Sequence, residues 1–598
     1  MGFHTHVLKQ TILPMIALAA ASVPALAVVS VVPPPSAAPG KVQAVVPGLT
    51  YTVLNRPGPQ VLHVLTMRPN ALLSLAPSQL SGSLSQRATL SSGMAARLPT
   101  GATAGINADY FDLTTGTPSG VLTVGQHLWT SPEPSRSALT IANGGALSVG
   151  KLTLAGRYQK LDPAGAKPQP IRTFRAVNRP LPATSSTGVV VYTPDLGRPT
   201  PSTPGYEAVV ALDGGVALST NAPVQGTIVA QATGGGTTVA PGQIVIYGKN
   251  GSGNNVATEL AVGSRVQIEA AIAGIAPDAW GSVGGGPMLV QGGVPVVSPG
   301  EGFRASQLKA YTTRTAVGQT ADGRILMVVS EGPQQGKKGY TAAGQGDLMV
   351  SLGATDAIGF DAGGSSLMAL GRQQLIPWTS ERRIADGLIA SYLGAQISIP
   401  NPQRVSPNGD GLADSGTLDV QSPVAGHTVV SLARRGGAFS TTLLDQTGGP
   451  ASNQIAIDPA TLAMPEGPYV VTSTLTPADG SAPTTMNRNL VVDGTLGTMK
   501  AALKYVGKAK AKGKSKGKKR PTTMSTSFTL SRIARVTVKI VNRSGATVAT
   551  AASNKKFSAG RRTVAWSGAA LPAGRYSVVV MARSAYGLSG LQDSLRLR

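Results

Sequence analysis

Glycine and proline recur along the whole sequence, and they limit the length of any regular element. The 598 residues include 74 Gly and 44 Pro, which interrupt helices and mark turns. Between them lie short runs rich in β-branched residues, such as TVKIV at 537–541 and YSVVVM at 576–581; such runs favour strands. The sequence therefore predicts a β-rich protein with many turns, and its length predicts about two to four domains.

The first 27 residues have the features of a secretory signal peptide. Lys9 precedes an apolar stretch from Ile12 to Ala27, which ends in an A-L-A cleavage sequence. An N-terminal membrane anchor is the alternative, but this stretch is shorter than the ~20 residues that span a bilayer and contains two prolines. We therefore expect Sec-dependent export from a bacterial cell to its surface or the medium, with no integral membrane segment in the mature chain.

The chain has no cysteine, which excludes disulfides, a lipoprotein anchor, thiolate zinc sites and cysteine nucleophiles. Beyond the signal peptide the histidines are His63, His127 and His427, far apart in the sequence. This spacing argues against a catalytic triad and against a His-based metal site.

Changes in composition divide the chain. A Pro/Ala linker follows the signal peptide, then comes a long Gly-rich region, a segment of alternating strands, a Lys/Gly-rich stretch and a last alternating segment. We predict an α+β catalytic domain rich in strands, followed by two all-β immunoglobulin-like sandwiches. One helix is expected at Gly346–Leu352, with Asp347 as its cap. The predicted boundaries are 1–27, 28–40, 41–400, 401–500, 501–521 and 522–598.

The net charge of +25 is concentrated at the C-terminal end. Residues 504–598 contain 21 Lys and Arg against one Asp, a net charge of +20. Such a region attracts polyanions in a salt-dependent way. Few aromatics are present to stack bases, so we expect anionic cell-wall polymers rather than a specific nucleic acid. A solvated spacer is the alternative.

The stretch GFDAGGSSLMAL at 359–370 places Asp361 after an apolar run and before a turn of small residues. Glycines let a ligand approach the main chain, and serine hydroxyls and amides bind oxyanions or sugar hydroxyls. A carboxylate there can act as acid, base or metal ligand. Three further elements are candidates on similar grounds: Gly284-Gly285-Gly286-Pro287, the Asn107–Phe111 segment, and Arg314, whose planar guanidinium suits phosphate. A turn, cap or surface ion pair is the alternative for each.

Eight blocks, in order along the chain, resemble the phosphodiester glycosidases, the family of the enzyme that uncovers lysosomal mannose 6-phosphate by removing N-acetylglucosamine. The blocks are GINADYFD (105–112), TPSGVLTVGQHL (117–128), AVNRPL (176–181), VVVYTPDLG (189–197), SVGGGPMLVQGG (282–293), RTAVGQTADGRILMVVSEG (314–332), GFDAGGSSLMAL (359–370) and SERRIADGLIA (380–390).

This resemblance implies an exported hydrolase that cleaves sugar-1-phosphodiester linkages in cell-surface or extracellular glycans. Catalytic carboxylates are then expected at Asp361 and Asp109, with Glu331 in reserve; which acts as acid or nucleophile stays open. Substrate-binding residues are expected at these positions: Asn107, Arg314, Gly284, Gly285, Gly286, Gly363, Gly364, Ser365 and Ser366. No cofactor is required by the resemblance.

Two departures from the family pattern leave a second function open. Ala362 stands where the family has glycine, and Ala108-Asp109 follow Asn107 where glycines are usual. A methyl group at 362 fits if φ there is negative and narrows the loop if φ is positive. The alternative function is a non-catalytic, carbohydrate-binding surface protein anchored by its basic C-terminal region.

The two C-terminal segments resemble FlgD-type immunoglobulin-like domains, which implies attachment or spacing rather than catalysis. In SPNGDGLAD at 406–414, Asn408, Asp410 and Asp414 offer hard oxygen ligands for calcium. The stretch lacks the length and terminal Glu of an EF-hand, so a polar turn is the alternative.

Overall fold

A computed structural model describes residue 40 and residues 42–597, with gaps at 163–168, 277, 298, 399–402, 408–412, 505–522, 543–545, 568–570 and 573. The predicted signal peptide, the 28–39 part of the linker, most of the Lys/Gly-rich stretch, and Asn408 and Asp410 lie outside the described residues. Antiparallel sheets dominate, which confirms the β-rich prediction.

Four sheets form the first domain. In spatial order, the first contains Gln43–Val46, Leu49–Arg56, Gln60–Met67, Ile325–Ser330, Arg314–Thr320, Ala354–Gly359, Met288–Gln291 and Val294–Pro295. The second contains Ile171–Phe174, Thr153–Leu161, Arg265–Ala273, Val224–Thr233, Tyr206–Leu212, Gln243–Lys249, Gly188–Tyr192 and Ala176–Val177. The third contains His127–Thr130, Leu122–Val124, Ala279–Gly284, Ser137–Ala142 and Leu147–Lys151. The fourth contains Gln373–Gln374, Met368–Leu370, Ala102–Asn107, Asp386–Tyr392 and Leu73–Gln79.

Helices are few and short among the described residues. The α-helices are Leu90–Arg97, Gly251–Glu259, Ala305–Lys309 and Ala342–Ser351, and the 3₁₀ turns are Leu98–Thr100, Pro194–Leu196, Asp213–Gly215, Pro299–Glu301, Pro333–Gln335 and Gly363–Ser365. The helix predicted at Gly346–Leu352 begins earlier, because the Thr341 hydroxyl accepts a hydrogen bond from the Gly344 N–H at 3.0 Å and caps it. Asp347 lies inside this helix and was wrongly assigned as its cap.

One hydrophobic core joins the first and fourth sheets and includes the fully buried Leu65, Met327, Ile358 and Leu388. A second core lies under the strands of residues 153–273 and includes Val191, Val210 and Ile268. Because alternate side chains of a strand point to opposite faces, the strands that end at Asn107 and Gly359 are fixed on both sides. The loops that follow them start from rigid positions.

Two pairs of sheets follow, each arranged as a β-sandwich. The buried side chains of the first sandwich belong to the same hydrophobic core as the first and fourth sheets, whereas the second sandwich has a core of its own. The first pairs Gln396–Ser398, Gly416–Ser422 and Ala451–Ile457 with Arg404–Val405, Thr484–Val492, Gly467–Pro477, Gly426–Arg434 and Ser440–Gly448. The second pairs Leu496–Lys504, Thr523–Leu530 and Gly560–Trp566 with Thr547–Phe557, Ala534–Asn542, Gly574–Ser584 and Gly587–Leu597. The FlgD-type assignment stays a prediction.

The second sandwich begins earlier than the predicted residue 522. Strand Leu496–Lys504 pairs with Thr523–Leu530 along its whole length, so the Lys/Gly-rich stretch connects two strands of one sheet rather than two domains. The first sandwich likewise begins before residue 401, since Gln396–Ser398 pairs with Gly416–Ser422. The predicted boundaries were placed where the composition changes, whereas the observed boundaries follow from which strands pair.

Both sandwiches carry the same tyrosine contact. The Tyr469 hydroxyl donates to the Pro465 carbonyl at 2.5 Å, and the Tyr576 hydroxyl donates to the Pro572 carbonyl at 2.9 Å. Such a bond back to a residue a few positions upstream is typical of immunoglobulin-like sandwiches. Within the described residues, no helix is long and apolar enough to cross a membrane.

Candidate active site

Three aspartates meet where strands of two sheets end. Asp109 and Asp361 follow the strands Ala102–Asn107 and Ala354–Gly359, and Asp386 begins Asp386–Tyr392. The backbone joins them: the Asp361 N–H donates to the Ala108 carbonyl at 3.0 Å, and the Asp109 N–H donates to Asp386 Oδ1 at 2.8 Å. Asp386 belongs to the SERRIADGLIA block but was not predicted as a site residue.

Asp109 is buried, and a loop fixes its carboxylate. Oδ1 accepts from the Tyr110 N–H at 2.7 Å, and Oδ2 accepts from the Gly120 N–H at 2.5 Å. Burial raises the pKa of Asp109 to about 7, against the lowering effect of Arg136 and of these two N–H groups. The carboxyl group is therefore in a position to gain or lose a proton near neutral pH.

Asp386 is the least satisfied acid of the three. Its Oδ2 is buried and has no hydrogen-bond partner among the described residues. Burial and the negative charges of Asp109 and Asp361 raise its pKa well above the ordinary value. Two neighbouring buried carboxyls are costly to ionise together, and this cost favours a proton on one of Asp386 and Asp109.

Asp361 differs from the other two because it is only partly buried. Its Oδ1 accepts from the Ala362 N–H at 2.9 Å, and it is hydrogen-bonded to Ser365. Burial nevertheless raises its pKa to about 6, against the lowering effects of these bonds and of Arg382 and Arg136. Asp361 is thus the aspartate that a ligand can reach.

The turn after Asp361 accepts the alanine that departs from the family pattern. Ala362 has φ −107° and ψ 179°, an extended conformation open to any residue. Positive φ falls instead on Gly363, at 65°, where glycine is needed. The sequence-based objection at residue 362 is therefore removed.

Ser365, Ser366 and Gly364 shape this turn. Ser365 and Ser366 are fully buried. Arg382 Nη1 donates to the Ser365 Oγ at 3.3 Å, and the Ser366 carbonyl accepts from the Trp378 indole N–H at 2.9 Å. A Cβ at Gly364 would lie 3.2 Å from the Arg382 guanidinium, so glycine gives this arginine room over the turn.

Asn107 holds the turn in place. Its Oδ1 accepts from the Thr315 hydroxyl at 2.7 Å and from the Leu367 N–H at 2.9 Å, and its Nδ2 donates to the Asp361 carbonyl at 2.8 Å. These contacts make Asn107 a positioning residue for Asp361. A substrate contact, which the sequence predicted, remains a prediction.

The glycines at 284–286 make room for neighbouring side chains, and their backbone N–H groups are not free to bind a ligand. Their N–H groups donate to the Val121, Ser137 and Gly359 carbonyls at 2.7, 3.2 and 2.9 Å. A Cβ at Gly284 would lie 2.4 Å from Asp109 Oδ2, and one at Gly285 would lie 2.9 Å from the Phe360 ring. The structure therefore uses these N–H groups within the protein, not as the oxyanion donors that the sequence suggested.

Arg314 is also held by the protein. Its Nε donates to the Tyr340 carbonyl at 2.7 Å, and its Nη2 donates to the Gln307 and Ala310 carbonyls at 2.8 and 3.1 Å. The buried guanidinium therefore fixes the short helix Ala305–Lys309 and the residue after it. Its predicted phosphate contact stays a prediction.

Glu331 lies apart from the three aspartates. Its Oε1 is 3.1 Å from His63 Nε2, and His63 Nδ1 is 2.6 Å from the Tyr51 hydroxyl, so the three form a buried network. Glu331 follows Ile325–Ser330, two strands from Ala354–Gly359 in the sheet. The structure does not bring the reserve carboxylate to the site.

Arg136 is the cation that sequence reasoning missed. Its guanidinium carbon lies 5.0 Å from the Tyr110 ring centre and 4.8 Å from that of Phe303. Its Nη1 is buried without a hydrogen-bond partner among the described residues. Arg136 is close enough to lower the pKa of both Asp109 and Asp361. No motif marks it, because it lies between two of the matching blocks.

Metal binding has limited support in this structure. Within the described parts of the chain, no group of three or more His, Asp or Glu side chains has the arrangement of a metal site. Asp414 has an interaction partner, while the other two predicted calcium ligands are outside the described residues. Calcium binding stays a prediction.

Comparison with known proteins supports the resemblance in part. The family model of the phosphodiester glycosidases matches residues 206–391, a range that contains Arg314, Asp361 and Asp386 but not Asn107 or Asp109. This match suggests a glycosidase-type hydrolase that acts on phosphodiester-linked sugars. No curated protein matches the chain.

Three solved structures resemble parts of the chain. A hypothetical protein from Synechocystis has 22% identity and a TM-score of 0.48, with 60% of this chain and 64% of that chain covered. A Burkholderia pseudomallei protein described as exported has 21% identity, coverages of 56% and 74%, and a TM-score of 0.44. The zebrafish N-acetylglucosamine-1-phosphodiester alpha-N-acetylglucosaminidase catalytic domain has 11% identity, coverages of 57% and 82%, and a TM-score of 0.29. These weak likenesses carry no functional argument.

Proposed function

We propose that the first domain of this exported protein hydrolyses sugar-1-phosphodiester linkages in cell-surface or extracellular glycans. The observation that carries the proposal is the meeting of Asp109, Asp361 and Asp386 beside Arg136, whose guanidinium has an unused buried N–H group. Carboxylates stabilise positive charge on a sugar ring, and a guanidinium binds phosphate. In a glycosyl phosphodiester the sugar ring and the phosphate are adjacent, so the carboxylates and the guanidinium can each bind their own partner.

In the proposed reaction the bond between the anomeric carbon and the phosphate oxygen breaks. The electron pair stays on the phosphate oxygen, and water supplies the hydroxyl group at the anomeric carbon and releases a proton to solvent. Arg136 stabilises the negative charge that develops on the phosphate. Asp361, the accessible carboxylate, faces the anomeric carbon, while the Asp109–Asp386 pair keeps this wall of the site in place.

Asp361 acts in its ionised form in this scheme, because a phosphate monoester leaves without being protonated. With the pKa of Asp361 raised to about 6, kcat/KM is expected to rise as pH increases through about 6 and then to level off. A general acid at this position would give the opposite slope. The pH profile therefore decides the role of Asp361.

The test uses the purified full chain and methyl α-N-acetylglucosamine-1-phosphate, with a small panel of other sugars. We expect sugar release by the parent and a loss of about 1,000-fold in Asp361→Asn. Asp445→Asn is the matched control, since Asp445 is 65% exposed in the first sandwich and pairs with His427. Sugar binding by both variants without turnover by the parent would favour the carbohydrate-binding alternative.

We propose in addition that the second sandwich binds anionic cell-wall polymers. Arg535 lies directly opposite Lys556 on one neighbouring strand and Arg583 on the other, and all three are exposed. Directly opposed cross-strand residues share a face of the sheet, and like charges there repel. A polyphosphate ligand would relieve this repulsion.

Binding of the full chain to poly(glycerol phosphate) should weaken steeply as salt rises. Arg535→Gln should weaken it further, whereas Arg157→Gln, which alters an exposed ion pair in the first domain, should not. Equal affinity for single-stranded DNA of the same charge would reduce the proposal to general polyanion binding.

A further inference from the structure

A cleft of about 470 Å³ lies next to the proposed active site. Its size is within the usual range for a small-ligand site. Ser119 and Glu133 line it. Ser119 precedes Gly120, whose N–H donates to Asp109, and the Glu133 carbonyl accepts from the Arg136 N–H at 3.0 Å. The cleft and the site therefore share a wall.

Positive charge dominates the free groups of this cleft. Arg175, Arg179 and Arg198 line it, with Asp112 and Glu133 as the acids. Arg179 is engaged, because its Nη1 donates to the Ser119 carbonyl and its Nη2 donates to the Pro132 carbonyl at 2.7 Å. Arg179 therefore connects the Ser119 and Pro132 segments, which form the wall between the cleft and the site.

Both acids of the cleft are also engaged. Asp112 Oδ1 accepts from the Thr114 and Thr115 N–H groups at 2.8 and 2.7 Å. Glu133 Oε1 accepts from the Ser135 hydroxyl at 3.1 Å, and Oε2 lies 3.6 Å from Arg179. Neither carboxylate is hydrogen-bonded to Arg175 or Arg198 in the described part of the chain, while Arg198 is close enough to help lower the pKa of Asp112.

Two arginines remain to meet a ligand. Arg198 has a buried Nε without a hydrogen-bond partner among the described residues, and Arg175 is exposed. Neither arginine side chain donates a hydrogen bond among the described residues, and a phosphate is the partner that a guanidinium fits best. The hydroxyls of Thr117 and Ser185 add neutral polar groups to the same lining.

We propose that this cleft binds a second phosphate of the substrate, on the aglycone side of the bond that is cleaved. The preferred substrate is then a glycan whose sugar-1-phosphodiester is followed by another phosphate group, rather than one with a neutral aglycone. The inference rests on the proposed function for the identity of the substrate, but anion binding in the cleft can be tested without turnover.

The kinetic test compares two substrates with the same sugar, one with a methyl aglycone and one with a glycerol phosphate aglycone. We expect the full chain to prefer the second by about tenfold or more in kcat/KM. The Arg175→Gln/Arg198→Gln double variant should lose this preference and keep its activity on the methyl substrate. The control Arg157→Gln should retain the preference.

The binding test measures hydrogen exchange in full-length Asp361→Asn with tri(glycerol phosphate), because peptide resolution separates the cleft from the basic C-terminal region. Protection of residues 112–119 and 175–198 that the two Arg→Gln changes abolish supports the cleft, even if neither substrate is hydrolysed and the proposed function fails. Equal kcat/KM for the two substrates, or no protection of these residues, overturns the inference.

Discussion

Two buried acids of the same domain, Glu301 and Asp386, have opposite surroundings. Each Glu301 oxygen has a partner: Oε1 accepts from the Met288 N–H and Oε2 from the Ser137 N–H, both at 2.8 Å. Asp386 uses only Oδ1, and its Oδ2 is buried without a partner beside other carboxylates. Burial is therefore shared by both acids, whereas a buried carboxylate oxygen without a partner among the described residues, next to like charge, is found at Asp386 in the candidate site and not at Glu301.

After the loss expected for Asp361→Asn, the next largest effect is expected when the charge that balances the aspartates is removed. Arg136→Gln should lower kcat/KM by roughly 100-fold, because a phosphate loses its main cationic partner. It should also move the rise of the pH profile upward, since Arg136 lowers the pKa of Asp361. Normal activity with an unchanged pH profile would show that the Arg136 guanidinium neither binds the phosphate nor affects the pKa of Asp361.

Exchanging the two buried acids for amides tests the comparison directly. Glu301→Gln should reduce the free energy of unfolding by about 1–3 kcal/mol, because an amide NH₂ then faces a backbone N–H. Asp386→Asn should reduce it less at pH 8, since it removes repulsion from Asp109 and Asp361, and should lower activity. Denaturant unfolding measures both, and the reverse order of stability would contradict the distinction.

The next effect is a loss of stability when the space beside Asp109 is filled. In Gly284→Ala the new Cβ would lie 2.4 Å from Asp109 Oδ2, which should cost about 1–3 kcal/mol of stability through overpacking and displace the carboxylate. Gly144→Ala is the control, because nothing lies within 4 Å of its Cβ position. Equal thermal stability of the two variants would show that the site is not tightly packed there.

The smallest effect concerns pH. The pKa values of Asp361 and Asp109 are raised to about 6 and about 7 from 3.8, so the native state binds more protons than the unfolded state between these limits. Their contribution to stability is thus complete below about pH 4 and is lost as pH rises to about 7. The free energy of unfolding of Asp109→Asn should therefore depend less on pH in this range than that of the parent.

Sequence reasoning located part of this site. Asp361 and Asp109 were accessible to it because each follows an apolar strand-like run and lies in a block with family resemblance. Asp386 lies in such a block too, but only one glycine, Gly387, follows it before an apolar run, and this pattern did not suggest a catalytic role. The candidate site depends on which strands are neighbours. Asp386 and Asp109 are 277 positions apart in the chain, and the pairing of their strands brings them into contact.

The roles of several predicted residues were beyond the sequence for the same reason. Whether Gly284 offers an N–H group or space depends on Val121 and Asp109, which are distant in the sequence. The sequence gives no sign that the Arg314 guanidinium is already bound by backbone carbonyls, which only the fold brings to it. The end of the first sandwich was misplaced because Lys/Gly composition is visible in sequence, whereas the pairing of Leu496–Lys504 is not.

The most direct test of the central claim is hydrolysis of methyl α-N-acetylglucosamine-1-phosphate by the full chain in water enriched in ¹⁸O, with mass analysis of both products. Cleavage between the anomeric carbon and oxygen, assisted by Asp361, predicts that the label enters the C1 hydroxyl of the free sugar and that the phosphate monoester stays unlabelled. Label in the phosphate would mean attack at phosphorus, and would contradict a glycosidase mechanism at this aspartate cluster.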